Sequence, residues 1–130
     1  MLVIKSSDDK QGGAQAVEER HDRPWGSFFI LEDKEHTKVK RLYVKPGHRL
    51  SYQSHKHRDE HWVIVQGVAE VTLDDVIKTF RYGEYLFIAR GTKHRLACKS
   101  EEPLEVIEIQ TGDAFPEEDI MRFEDDYKRV

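Results

Sequence analysis

The chain has 130 residues, of which 38% are hydrophobic and 35% are charged, and its net charge is −4. This length fits one domain, and the acidic balance disfavours a nucleic-acid-binding protein, which usually carries an excess of Lys and Arg. No apolar run approaches the ~20 residues that span a bilayer, and a single cysteine excludes an internal disulfide. We therefore expect a cytoplasmic protein that binds neither nucleic acid nor membrane.

The first 22 residues are polar and show no sustained periodicity. This composition predicts a flexible N-terminal segment over residues 1–22. An alternative is that Leu2, Val3 and Ile4 form a strand that pairs with a partner subunit. The remaining residues, 23–130, are predicted to form a single domain.

From Pro24 onward, short apolar and β-branched runs alternate with turn residues such as Pro46-Gly47 and Gly91. The predicted strands are 27–31, 38–44, 61–65, 69–73, 85–89 and 104–109. Many short strands at a spacing of about 8–12 residues are typical of an all-β sandwich or barrel. For residues 117–129, the sequence leaves open a short helix or an extended tail packed on the barrel.

Three of the seven histidines, His55, His57 and His61, lie within seven residues and flank Glu60. Imidazole and carboxylate groups are ligands that suit Zn, Fe, Mn, Ni or Co. Because successive side chains of a strand point to opposite faces, Gln53, His55 and His57 would share one face. A turn could then bring Glu60 or His61 back to the same point. The cluster therefore favours a metal site over a solvated polar edge.

Two motifs surround this cluster and keep a fixed spacing. The first reads Gly47, five residues, Gln53-x-His55, four residues, Glu60, six residues and Gly67. The second reads Gly83, five residues, Ala89-x-Gly91, two residues, His94, three residues and Cys98. Both resemble the motifs of the cupin superfamily, with the usual first His, Pro and Asn replaced. The resemblance implies a double-stranded β-helix, the jelly-roll barrel, over residues 23–130.

Longer stretches of the sequence resemble one particular family within this superfamily. They are RPWGSF at 23–28, VKRLYVKPGHRLSYQSHKHRDEHWVIVQGVAEV at 39–71, PLEVIEIQTGD at 103–113 and EEDIMRFEDDYKR at 117–129. Together they resemble the type II mannose-6-phosphate isomerase domain, which in its family often follows a mannose-1-phosphate guanylyltransferase domain. No Gly-rich nucleotide-binding segment precedes the cupin region here, so nucleotidyl transfer is not expected. The resemblance implies interconversion of mannose 6-phosphate and fructose 6-phosphate.

The same resemblance implies a divalent metal ion, zinc in the first place, with Co, Mn, Ni or Fe as alternatives. The implied ligands are Gln53, His55, Glu60 and His94. An amide oxygen, as on Gln53, is an acceptable neutral ligand for zinc. The chief rival ligand is His57, which shares the strand face of His55, followed by His61.

The implied reaction also needs a base beside C2 of the sugar and an anchor for the phosphate. The candidate bases are His57, His61 and Glu108. The candidate substrate-binding residues are Arg49, Ser51, Lys40 and Arg95. Arg49 comes first because it shares the strand face of Gln53 and a guanidinium binds phosphate in bidentate fashion.

Two other functions fit a cupin of this size. One is a non-catalytic cupin that binds a metal or a sugar. The other is a cupin metal dioxygenase, in which iron would be held by His55, His57, Glu60 and His94. A homodimer is expected from the resemblance alone, because cupins of this size commonly dimerise.

Overall fold

The computed structural model describes residues 19–116 and 118–128. Within these residues there are eleven strands and no helix. The strands are β1 (Glu19–Arg23), β2 (Gly26–Asp33), β3 (Thr37–Val44), β4 (Tyr52–Ser54), β5 (Arg58–Gln66), β6 (Ala69–Leu73), β7 (Val76–Phe80), β8 (Tyr85–Ile88), β9 (His94–Cys98), β10 (Leu104–Gly112) and β11 (Met121–Glu124). Accordingly, this part of the chain contains no helix long and apolar enough to cross a membrane.

The strands form two antiparallel sheets. One has five strands in the order β11-β4-β9-β6-β7, and the other has six in the order β1-β2-β3-β10-β5-β8. Buried side chains of both sheets form one core, with Val71 and Leu96 from the first sheet and Val44, Ile64 and Val106 from the second. The prediction of an all-β sandwich or barrel is confirmed.

The predicted strands correspond to β2, β3, β5, β6, β8 and β10, and five short strands were not predicted. One of these, β7, follows a two-residue hairpin turn in which Asp74 and Asp75 have φ of 45° and 70°, values that Asp tolerates better than most residues. Another, β1, places Glu19–Arg23 in the fold, four residues earlier than predicted. Of the flexible segment predicted over residues 1–22, residues 1–18, with the alternative strand at Leu2, lie outside the described residues.

The described part of the C-terminal stretch, residues 118–128, contains a strand and no helix, so of the two alternatives that the sequence left open the structure has the extended tail. Its strand β11 pairs with β4, which places Arg122 opposite Gln53. On its other side β4 pairs with β9, which places His94 opposite Gln53. Three segments that are distant in the chain therefore meet at one end of the barrel.

Gly112, the last residue of β10, lies at this same end of the barrel. Its φ is +154°, and a Cβ atom there would collide with the carbonyl oxygen of His57. Glycine alone permits this close approach of two backbones. The connection between β4 and β5, which carries His55 and His57, is thus packed directly against β10.

Candidate active site

Three residues that could bind a metal converge at this end of the barrel. His55 follows β4, Glu60 lies in β5 and His94 begins β9, and each is only 2–3% exposed. Their possible ligand atoms all lie within 4.8 Å of one another. The Nε2 atom of His55 is 3.3 Å from Oε2 of Glu60, and Nε2 of His94 is 3.7 Å from Oε1.

Backbone carbonyl groups orient both imidazole rings. Nδ1 of His55 lies 2.7 Å from the carbonyl oxygen of Asp119, and Nδ1 of His94 lies 2.9 Å from that of Thr92. Because a carbonyl oxygen only accepts hydrogen bonds, each Nδ1 carries the proton. Each Nε2 then keeps its lone pair, directed toward Glu60.

Burial keeps these two histidines neutral. It lowers the pKa of His55 to about 4, with a further contribution from the Arg58 guanidinium, and it also lowers the pKa of His94. Nε2 of His94 is buried and has no hydrogen-bond partner among the described residues. A buried lone pair without a donor is what a metal ligand requires. Two neutral imidazoles and one carboxylate fit a divalent ion such as zinc.

Arg58 also belongs to this group, although the sequence did not single it out. Its Nε donates to Oε2 of Glu60 at 2.9 Å, and its Nη2 lies 2.9 Å from Nε2 of His55. A metal ion bound to these atoms would require the guanidinium to withdraw. Alternation along β5 could have revealed this residue, since positions 58, 60 and 62 share one face.

A second carboxyl group lies beside the first. The indole Nε1 of Trp62 donates to Glu60 at 3.0 Å and to Glu108 at 3.2 Å, and Nε2 of Gln110 donates to the other oxygen of Glu108. Burial, followed by repulsion from Glu60, raises the pKa of Glu108 to about 7. Glu108 faces the barrel interior, and near neutral pH it can both accept and release a proton.

Some of these residues, among them His55, Arg58 and Glu108, border a cavity of about 730 Å³, including its open mouth. His55, Gln53 and Glu108 line it together with Trp25 and Phe28. Its cationic lining residues are Arg23, Lys40, Arg58 and Arg122. Among the lining residues, Glu108 alone is a carboxylate, so the cavity has an excess of positive charge that favours an anionic ligand.

Two of the four predicted substrate-binding residues lie in the cavity. Ser51 and Lys40 both line it and are 2% and 8% exposed. The ammonium group of Lys40 lies 4.5 Å from the centre of the Phe28 ring, where the negative face of the ring stabilises it.

The other two predicted substrate-binding residues lie outside the cavity. Arg49 forms two hydrogen bonds with exposed Asp126, because the chain is irregular between Arg49 and Tyr52 and the period of two is lost there. Arg95 alternates with His94 and donates instead to the carbonyl oxygen of Leu50 and to Glu124. Both predictions are corrected.

The predictions for two histidines are also corrected. His57 is exposed in the connection between β4 and β5 and does not line the cavity. His61 alternates with Glu60 in β5, so its ring lies on the outer face of the sheet, where Nδ1 is 2.7 Å from the hydroxyl of Tyr85. Neither imidazole is placed to bind the metal or to act as a base in the cavity.

Arg23 and Arg122 are cavity residues that the sequence did not indicate. Each enters the cavity from a strand that was not predicted, β1 and β11 respectively. Their position depends on pairing between distant strands, and no local pattern reports it. Gln110 carried a weak signal, since it follows Glu108 at a spacing of two in β10.

Solved structures share this fold at low sequence identity. Oxalate decarboxylase from Bacillus subtilis matches 90% of this chain and 34% of its own, with a TM-score of 0.71 and 19% identity. A sugar phosphate isomerase of the cupin superfamily from Silicibacter pomeroyi matches 65% of this chain and 58% of its own, with a TM-score of 0.61 and 18% identity. The fold is thus the cupin double-stranded β-helix.

Curated relatives share a higher sequence identity with this chain, but their own chains are much longer. The xanthan biosynthesis protein XanB of Xanthomonas campestris is 45% identical over 83% of this chain and 23% of its own length. The mannose-1-phosphate guanylyltransferase ManC of Salmonella typhimurium is 44% identical over 83% of this chain and 22% of its own. The chain therefore spans less than a quarter of the length of these curated relatives.

The match to a family model covers most of the described residues. The model of the mannose-6-phosphate isomerase C-terminal domain matches residues 10–125, a range that contains both cupin motifs and every residue of the candidate site. The chain belongs to the mannose-6-phosphate isomerase C-terminal domain family.

Proposed function

We propose that the chain is a metal-dependent aldose–ketose isomerase that interconverts mannose 6-phosphate and fructose 6-phosphate. The observation that carries this proposal is the buried group of His55, Glu60 and His94 at the edge of a cationic cavity that His55 and Glu108 line. Family membership supports the same reaction. The sugar phosphate isomerase among the structural neighbours adds an example of such an activity on a cupin fold.

The metal would be held by His55, Glu60 and His94, with Gln53 as the fourth ligand. A divalent ion bound there supplies Lewis-acid polarisation of the sugar oxygens at C1 and C2. Gln53 supports this assignment because it lines the cavity and lies opposite His94 in the sheet. Because this amide is neutral, Glu60 would be the only charged ligand, and the centre with a divalent ion would keep one net positive charge.

Glu108 is proposed to move the proton. In the direction from aldose to ketose, its carboxylate takes the proton from C2, and the electron pair of that bond forms the C1–C2 double bond of a cis-enediol as O1 gains a proton. The carboxyl group then returns its proton to C1 while O2 loses one and becomes the ketone oxygen. Two protons shift and nothing is oxidised overall. Trp62 and Gln110 hold the carboxyl group in place.

Arg23, Lys40 and Arg122 are proposed to bind the phosphate, in place of Arg49. All three line the cavity that contains Glu108, and guanidinium groups form paired, charge-assisted hydrogen bonds with phosphate oxygens. The apolar rings of Trp25 and Phe28 lie in the same wall and exclude water from the sugar.

A non-catalytic binding cupin is the second candidate, favoured by the contacts of Arg58 with Glu60 and His55. These contacts satisfy two ligand residues without a metal ion. The dioxygenase alternative loses its support because it needs His57 as a ligand, and His57 is exposed. The homodimer and the cytoplasmic location stay predictions.

A coupled assay separates the two candidates. The 130-residue chain is stripped with a chelator, reloaded with zinc, cobalt or manganese, and tested for conversion of mannose 6-phosphate to fructose 6-phosphate. The isomerase proposal predicts turnover that disappears with the metal and returns on reloading. A chain that binds the metal but shows no turnover would support the binding cupin instead.

A further inference from the structure

The segment that carries His55 is held in place by a residue far along the chain. Residues 55–57 connect β4 to β5 and belong to neither strand. Both carboxylate oxygens of Asp119 accept hydrogen bonds from this connection, one from the amide of Lys56 at 2.9 Å and one from the amide of His57 at 2.8 Å. A single side chain therefore fixes two successive peptide groups next to His55.

The backbone of Asp119 also orients the ring of His55. Its carbonyl oxygen accepts the Nδ1 proton at 2.7 Å, and the opposite ring nitrogen then lies 3.3 Å from Glu60. The corresponding carbonyl for His94 comes from Thr92, only two residues earlier in the same turn. One imidazole is thus oriented locally, whereas the other depends on a residue 64 positions away.

We propose that Asp119 is a positioning residue of the metal centre, which holds the connection 55–57 and the ring of His55 so that Nε2 is presented to the ion. This inference rests on the proposed metal site. It goes further because it makes metal binding depend on the docking of the C-terminal segment. Strand β11 reinforces that docking, since it pairs with β4 immediately before His55.

The test is Co²⁺ binding by the full 130-residue chain, measured as a dissociation constant in competition with a chelator and as the visible absorption of the bound ion. Asp119→Ala removes the carboxylate that fixes the connection 55–57 and keeps the backbone carbonyl. We expect it to weaken Co²⁺ binding about 10- to 100-fold, as is typical when a group that supports a metal-bound histidine is lost. The absorption spectrum should change as well, because the backbone that carries His55 is no longer fixed by the carboxylate. Asp119→Asn keeps one acceptor and should fall between the wild type and Asp119→Ala.

The matched control is Asp126→Ala. It removes another carboxylate of the C-terminal stretch, but that carboxylate binds the exposed Arg49 and not the connection 55–57. We expect Asp126→Ala to keep the wild-type Co²⁺ affinity and spectrum. Thermal unfolding of the metal-free variants shows whether each one is folded.

The possible results distinguish a failure of the positioning role from a failure of the metal site. Wild-type affinity and spectrum in Asp119→Ala would overturn the positioning role, and so would an equal weakening in Asp126→Ala. If Asp119→Ala does not fold, the comparison of Asp119→Asn with the wild type decides in its place. A wild-type chain that binds no Co²⁺ would overturn the proposed metal site itself, and this inference with it.

Discussion

The inward faces of β5 and β10 are polar along one half and apolar along the other. In the polar half, Glu60 lies opposite Gln110, with Glu108 the next inward residue of β10. In the apolar half, Ile64 lies opposite Val106, and both side chains are 0% exposed. A few residues along the same two strands therefore separate the candidate site from the packed core.

This difference shows how one small barrel supports two tasks. The apolar half supplies hydrophobic stabilisation, roughly 1.5–3 kcal/mol for each large side chain that is fully buried. The polar half buries two carboxyl groups, which costs free energy unless partners compensate it. Trp62 donates to both carboxyl groups and Arg58 neutralises one of them. Substitutions in the two halves should therefore affect different quantities, activity in one and stability in the other.

The largest expected effect is on catalysis, from Glu108→Gln in the polar half. We expect kcat to fall by about 10²–10⁴-fold, the usual contribution of a general base. The unfolding midpoint should change little, because the loss of one acceptor for Trp62 or Gln110 is offset by the loss of the repulsion with Glu60. The coupled isomerase assay and urea denaturation measure the two effects.

The control for this change is Glu105→Gln on the same strand. Glu105 is paired with Arg41 on the opposite face of the sheet, so its replacement should leave kcat unchanged. A Glu108→Gln variant with wild-type kcat would remove Glu108 from the role of base.

The next effect is on stability, from Ile64→Ala in the apolar half. Loss of a buried Ile side chain should lower the free energy of unfolding by about 2–5 kcal/mol, because a cavity replaces packed atoms. Urea denaturation measures it, and kcat per folded molecule should stay the same. Val63→Ala, on the outer face of the same strand, should cost clearly less. Equal losses from the two variants would contradict the division into a packed and a chemical half.

A smaller effect is expected from Lys40→Met on substrate binding. If Lys40 binds the phosphate, the loss of one charge-assisted hydrogen bond of about 1.5–3 kcal/mol should raise KM for mannose 6-phosphate roughly 10- to 100-fold. Lys38→Met is the control, since Lys38 lies on the same strand but does not line the cavity and contacts Asp33 instead. An unchanged KM in Lys40→Met would exclude Lys40 from the phosphate site.

The smallest effects are expected outside the cavity. Arg49→Ala and His57→Gln should leave both kcat and KM at the wild-type values, because neither side chain lines the cavity. Steady-state kinetics with mannose 6-phosphate checks both variants. A raised KM in Arg49→Ala would restore that residue as the phosphate anchor and contradict the placement found here.

Much of the fold and the centre of the site could be predicted from the sequence. The strands with long apolar runs were found because period-two burial is a local pattern. His55, Glu60 and His94 were found because the cupin motifs fix their spacing to turns and strand starts. Glu108 could be named as a candidate because it follows the apolar residues of β10 at a spacing of two.

Other site residues were misplaced or missed from the sequence. This happened where the alternation of side chains along a strand breaks, or where strands distant in the chain meet. The period of two does not cross the irregular backbone before Tyr52, so Arg49 was placed on the wrong face. The same rule, applied strictly within β5, would have put His61 outside and Arg58 inside. Arg122 and Asp119 reach the site through the docking of β11 and the residues before it, which no local pattern encodes.

The most direct test of the central claim is the position of zinc in a crystal of this chain grown with the metal. An anomalous difference map at the zinc edge should show one strong peak bonded to His55, Glu60 and His94, at about 2.0–2.2 Å from each ligand atom. The side chain of Arg58 should have withdrawn from Glu60. A map with no peak there, or with zinc only at exposed histidines such as His57, would contradict the account.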